Sequence, residues 1–179
     1  MDKPAVPHQI RKVFEGRVFS VVVESITTRK GRTMDVEVVR HPGSVVLIPV
    51  KDDGEIILVR QYRHAIGRTA WELPAGTLKP NEAPDEAAAR ECHEEIGLVA
   101  ERLERLGGFF PTPGYCDEEM VFYLATGLRP PRESEQAEQD EDEDIDTQAF
   151  TAAQIGSMIR SGDIIDLKTL AALALIEKS

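Results

Sequence analysis

Residues 76–98 read GTLKPNEAPDEAAARECHEEIGL, and no other stretch restricts the fold of this chain as much. Pro84 suits the first turn of a helix, where the backbone N–H has no intrahelical partner, and Asp85 and Glu86 follow where the helix dipole favours acids. Gly97 supplies the stop. The spacing therefore predicts a helix over 84–96. Glu91, Glu94 and Glu95 stand at i, i+3 and i+4, so three carboxylates share one face. Ala88, Ala89, Cys92 and Ile96 fall on a different face and predict the apolar stripe that docks to a core. Carboxylates crowded in this way repel one another unless a cation lies between them, and hard oxygen ligands suit magnesium or manganese. A generic cluster of this kind is more often a solvated acidic face. The residue order around this one favours the metal reading.

The remaining chain supplies strands on both sides of that helix. RVFSVVVESIT at 17–27 is rich in β-branched residues, MDVEVVRH at 34–41 partly alternates, and Gly31 centres the turn between them, which predicts a hairpin. SVVLIPV at 44–50 is a continuous apolar run, as expected of a strand buried on both faces, and EIILVRQY at 55–62 returns after the turn KDDG. A short strand at 71–73 leads into Pro74-Ala75-Gly76. Further strands are predicted within 99–110, at 118–126 and at 145–150, and helices at 151–161 and 167–177. Residues 1–9 read as a loose arm. Strands interleaved with helices indicate an α/β layered domain.

Length and charge narrow the function classes. At 179 residues the chain is one domain with room for a substantial core. No early apolar run resembles a signal peptide and no segment approaches membrane-spanning length. Two cysteines, Cys92 and Cys116, are too few for a disulfide framework. The chain reads as soluble and cytoplasmic. Its formal charge is −11, yet residues 133–146 hold nine acids and no base, which leaves about −2 for everything else. That balance argues against non-specific binding to nucleic acid or to an anionic membrane.

Gly76, five residues, Glu82, seven residues and then Arg90-Glu91-Cys92-His93-Glu94-Glu95-Ile96-Gly97-Leu98 resembles the complete Nudix box. Cys92 stands where a larger aliphatic is usual, and a buried thiol behaves as a small hydrophobe. TAWELPAG before the box, FFPTPGYCDE after it, RQYR at 60–63 and the closing GDIIDLKTLAALAL are similar to the ADP-ribose pyrophosphatase branch of that family, so the likeness covers most of 44–176. It implies an α/β/α sandwich with a mixed central sheet and an N-terminal β-hairpin. Residues 1–40 would form the arm and a dimer-forming hairpin, and 41–179 the hydrolase domain.

The resemblance also implies a reaction: water attacks a phosphorus of a nucleoside diphosphate linked to another moiety. Most directly this would split ADP-ribose into AMP and ribose 5-phosphate, with Mg2+ or Mn2+ as cofactor. GDP-mannose or another nucleotide sugar is the nearest rival substrate, because the box addresses only the diphosphate. A non-catalytic nucleotide-sensing module is the rival of another class. Glu91, Glu95, Glu94 and the Ala75 carbonyl are the implied metal ligands, with Arg90, and Glu82 beside it, bracing the carboxylates. DEDEDI at 140–145 resembles the branch's catalytic loop, which makes Glu141 the candidate base and Glu143 a supporting ligand, with Asp142 as a further rival. Arg63, and Arg60 second, would meet phosphate, although strand alternation sends them to opposite faces. Pro113 matches the branch's distinguishing proline and is implied as a third substrate-binding residue. Phe19, Phe110 and Tyr115 could stack on a base, with core packing the better expectation for each.

Overall fold

A computed structural model of the chain describes residues 6–133 and 145–176. The strands are β1 (Gln9–Glu15), β2 (Ser20–Thr27), β3 (Thr33–Arg40), β4 (Ser44–Pro49), β5 (Ile56–Arg63), β6 (Arg68–Glu72), β7 (Ala75–Thr77), β8 (Val99–Phe109), β9 (Met120–Arg129) and β10 (Asp146–Phe150). The helices are α1 (Pro84–Ile96), α2 (Ala152–Ser161) and α3 (Leu167–Ile176). The chain forms two compact units, one of residues 1–43 with 110–119 and the other of 44–109 with 120–179.

The second unit is layered. β4 is buried along its whole length and runs parallel to β9, with Leu47 opposite Tyr123, inside a mixed sheet ordered β7-β4-β9-β8. An antiparallel sheet ordered β10-β5-β6 accompanies it. Alternate residues of β4 enter separate cores, as a period of two requires. Val45 and Leu47 pack with Val121, Tyr123 and the α1 residues Ala87, Ala88 and Cys92. Val46 and Ile48 pack with Phe122, Leu58, Phe150, Ile155 of α2 and Ala172 of α3. Helices thus cover both faces, giving the α/β/α sandwich. The buried alanines of α1 are Ala87 and Ala88, whereas Ala89 is exposed, so Ala87 takes the place of Ala89 in a stripe that Ala88, Cys92 and Ile96 form as the spacing predicts.

The ends of α1 follow from local chemistry. Pro84 opens the helix, Ala83 N–H donates to Glu86 Oε2 at 3.2 Å, and Gly97 closes it in the left-handed region at φ 67°. Thr151 caps α2, accepting from Gln154 N–H while Gln154 Oε1 accepts from Thr151 N–H, an exchange of about 1 kcal/mol. Trp71 lies in an edge contact on Phe150 with ring centroids 5.0 Å apart.

The first unit holds a three-stranded sheet, β1-β2-β3, where the sequence suggests only a hairpin. β1 lacks a clean alternation because its register against β2 shifts between Lys12 and Phe14. Arg40 on β3 pairs with Glu24 and, at 2.7 Å, with Asp117. Val39 N–H donates to the Tyr115 carbonyl and Asp117 N–H to the Val39 carbonyl, which ties the loop bearing Pro113 to the sheet. Phe19, Phe110 and Tyr115 are all exposed rather than packed in a core.

Candidate active site

β7 is the floor on which the acids of α1 rest. It pairs antiparallel with β4, Ala75 opposite Val46 and Gly76 opposite Val45, so its backbone is held by the most buried strand of the sheet. Glu95 Oε2 accepts the Ala75 N–H at 3.1 Å. A Cβ placed on Gly76 would lie 1.8 Å from Glu91 Oε1 and 1.9 Å from its Cδ. The Glu91 carboxylate therefore occupies space that only glycine leaves open. Glu91 and Glu95 are 7% and 9% exposed, values carboxylates reach only when they are paired or coordinated.

Arg90 gathers the other carboxylates. Its Nε donates to Glu82 Oε1 at 2.6 Å and its Nη2 to Glu82 Oε2 at 2.8 Å, a bidentate pair. Its Nη1 donates to Glu91 Oε1 at 2.5 Å and to Glu94 Oε2 at 2.6 Å. Lys79 Nζ lies 3.5 Å from Glu94. The hydrogen bonds from Arg90, helped by the Lys79 backbone N–H, hold the Glu82 carboxyl down at about 2 against the opposing effect of burial. The Arg90 guanidinium is pushed above its ordinary value, first by Glu82 and then, against burial, by Glu94 and Glu91. Burial pushes the Cys92 thiol up to about 11, which makes it a packing group and not a nucleophile.

The donor set has the chemistry of a hard divalent cation site: glutamate oxygens, two of them on nearly buried side chains, beside a backbone segment held in place. As the side chains stand, no three His, Cys, Asp or Glu among the described residues group so as to hold an ion. Arg90 accounts for this, because it draws Glu91 and Glu94 onto one nitrogen while Glu95 faces the Ala75 N–H.

A second ionic network adjoins the first through the segment Glu72-Leu73-Pro74-Ala75. Glu72 is 3% exposed and takes two cations, with Arg63 Nε donating to Oε1 at 2.7 Å and Lys168 Nζ donating to Oε2. Lys168 also donates to Asp166 Oδ2 at 3.1 Å, and that carboxylate caps α3 by accepting the Thr169 N–H at 3.0 Å. The Thr169 hydroxyl donates to Asp166 and accepts the Leu73 N–H at 2.9 Å. Burial works against the charge on Arg63, but Glu72, aided by Glu95 and Asp166, holds its guanidinium above the ordinary value.

The residues marked out by sequence fall into four groups. Glu91, Glu94, Glu95, Arg90 and Ala75 stand together at β7 and α1, and Arg63 joins them through Glu72. Arg60 is exposed, with its Nη1 3.7 Å from Asp146 Oδ2, while Arg63 turns to Glu72, as strand alternation requires. Pro113 belongs to the unit that contains the N-terminal sheet. Glu141 and Glu143 lie outside the described residues. Glu72, Asp166, Lys168 and Thr169 were not singled out by sequence. Their signals were a glutamate inside the apolar stretch TAWELPAG and an Asp-x-x-Thr at a helix start.

The NUDIX domain profile matches residues 40–173. The chain is 34% identical over 166 residues to an ADP-ribose pyrophosphatase of Bacillus subtilis (strain 168), covering 93% of this chain and 89% of that protein. It is 35% identical over 166 residues to a methanol dehydrogenase activator of Bacillus methanolicus, with the same coverage of each. Its fold is similar to that in a crystal structure of an ADP compounds hydrolase, with a TM-score of 0.83 at 24% identity over 98% of this chain and 94% of that one. A match across most of the sequence, on a helix whose glutamates settle against its own Ala75-Gly76 floor, makes this chain a member of the Nudix hydrolase family.

Proposed function

We propose that the chain hydrolyses a nucleoside diphosphate linked to a second moiety, splitting ADP-ribose into AMP and ribose 5-phosphate. One observation carries this reading: Glu91 and Glu95, both nearly buried, are seated on the backbone of Ala75 and Gly76 beside an arginine that holds two more carboxylates. Glu91, Glu94, Glu95 and the Ala75 carbonyl would hold Mg2+ or Mn2+. Such an ion, when bound, supplies neutralisation of the bridging phosphates.

The chain's own groups do the rest. Arg90 keeps Glu82 ionised, holds Glu94 in place, and releases Glu91 and Glu94 when they are required as ligands. Arg63 offers its terminal nitrogens to a phosphate, with Arg60 a second candidate on the opposite face of β5. Glu141, with Glu143 and Asp142 as its rivals, takes the proton of the attacking water. The water oxygen then bonds to phosphorus and the bridging P–O bond breaks. Pro113 shapes the loop that the ADP-ribose branch resembles, and the likeness to a Bacillus subtilis ADP-ribose pyrophosphatase supports that substrate over GDP-mannose.

Purified protein with Mg2+ is expected to release AMP from ADP-ribose faster than GMP from GDP-mannose, read by product chromatography. A diphosphate panel with no cleavage discards the enzyme reading. Faster GDP-mannose cleavage replaces the substrate.

The same reading includes a homodimer. β1 is exposed along its length and pairs only with β2 among the described residues, and Ile10, Phe14, Phe19 and Met34 leave apolar surface on that sheet. An edge of this kind invites a second chain. Light scattering is expected to report twice the 19.9 kDa chain mass, and a mass near 19.9 kDa would contradict the dimer.

A further inference from the structure

We propose that Lys168 is a positioning residue for the substrate site: through the shared carboxylate of Glu72 it fixes the orientation in which Arg63 meets phosphate. The inference rests on the reading of Arg63 as a phosphate-binding side chain. Glu72 has two acceptor oxygens and two cations. Arg63 bonds Oε1 through Nε alone, and Lys168 takes Oε2. The Arg63 side chain is 43% exposed, and among the described residues its two terminal nitrogens make no hydrogen bond, so they are uncommitted.

Lys168 is what keeps them so. A carboxylate with one oxygen unpaired would draw a second nitrogen of the same guanidinium into a bidentate fork, the arrangement arginine and carboxylate favour. That fork already exists in this protein between Arg90 and Glu82, where the further donor to Oε2 is a backbone N–H, of Lys79, and not an ammonium. In the fork, one of the two terminal nitrogens of Arg63 is spent on Glu72 and the plane of the guanidinium turns with it.

Lys168 is itself held in place. Its side chain is 8% exposed, it sits in the first turn of α3, and Asp166 both caps that turn and bonds the ammonium. Thr169 ties the same turn to Leu73 N–H. The C-terminal helix thus reaches a substrate arginine more than a hundred positions away in sequence without touching substrate.

The test is a double-mutant cycle on ADP-ribose hydrolysis. Lys168→Met is expected to raise KM about tenfold with a smaller change in kcat, because a phosphate contact of this kind binds ground state and transition state alike. Lys168→Gln, which keeps a donor for Glu72 without the charge, is the second variant should the first not fold, and Lys168→Arg is expected to stay near wild type. In an Arg63→Ala background, loss of Lys168 is expected to add nothing to KM, since nothing remains to be positioned. Several results would overturn the proposal while the function stood: additive effects in the cycle, an unaltered KM in folded Lys168→Met, or an Arg63→Ala enzyme of normal KM. Unfolding of both neutral variants beside an active Lys168→Arg would assign the lysine to stability and equally overturn it. A wild-type chain inert toward ADP-ribose fails the functional reading before any variant is made.

Discussion

Glu95→Gln is expected to lower kcat for ADP-ribose about a thousandfold, since a lost cation ligand removes several kcal/mol of charge stabilisation and each tenfold is about 1.4 kcal/mol. Glutamine is the informative replacement because of what Glu95 does in the fold. Its Oε2 accepts the Ala75 N–H at 3.1 Å, and an amide oxygen can accept the same bond. The Ala75-Gly76 floor therefore keeps its partner while the negative charge disappears. The thermal midpoint should move by no more than about 3 °C, the size expected when a charged acceptor becomes a neutral one in a chain of this length. Alanine would confuse the outcome by leaving the N–H unpaired in a site with little access to water. Steady-state kinetics beside calorimetry separate the two effects. Near-normal turnover removes Glu95 from the site.

How far that site could be read without coordinates varies with the kind of signal. The bounds of α1 match the sequence reading because its ends are marked chemically, by Pro84 and by Gly97. β4 was legible because a strand covered on both faces must be apolar throughout. β1 was not, since the register shift at Lys12 to Phe14 breaks its alternation, and β7 is only three residues long. Ala89 lies outside the buried stripe that the spacing predicts for it, because alanines at 87, 88 and 89 are alike in type and only packing under β4 and β9 chooses among them. The Glu72 and Lys168 pair was out of reach for a different reason. Its partners are 96 positions apart, and neither residue has a neighbour whose type announces the other. A charge in an apolar strand said that a partner was needed, not which one.

Gly76→Ala is expected to reduce turnover at least about a hundredfold, the scale on which a roughly 1 Å displacement of a reacting group is felt, in a protein that still folds. The new Cβ would stand 1.8 Å from Glu91 Oε1, 1.9 Å from Cδ and 2.4 Å from Oε2. Something must move, and the physics selects which. β7 is pinned to β4 through Ala75 and Gly76, while the colliding atoms end a flexible side chain, so Glu91 rotates and the strand stays. Rotation takes the carboxylate off Arg90 Nη1 and out of its place on the β7 floor. The stability cost is confined to repacking one side chain, which predicts a fall in thermal midpoint of about 5 °C. If glycine matters only because it makes room for Glu91, the defects do not add: Gly76→Ala combined with Glu91→Gln should be no slower than Glu91→Gln alone. Additive losses would mean that the backbone of residue 76 acts on the substrate in its own right. Wild-type turnover in Gly76→Ala would mean that Glu91 functions from another position, and the arrangement of acids on that floor would have to be redrawn.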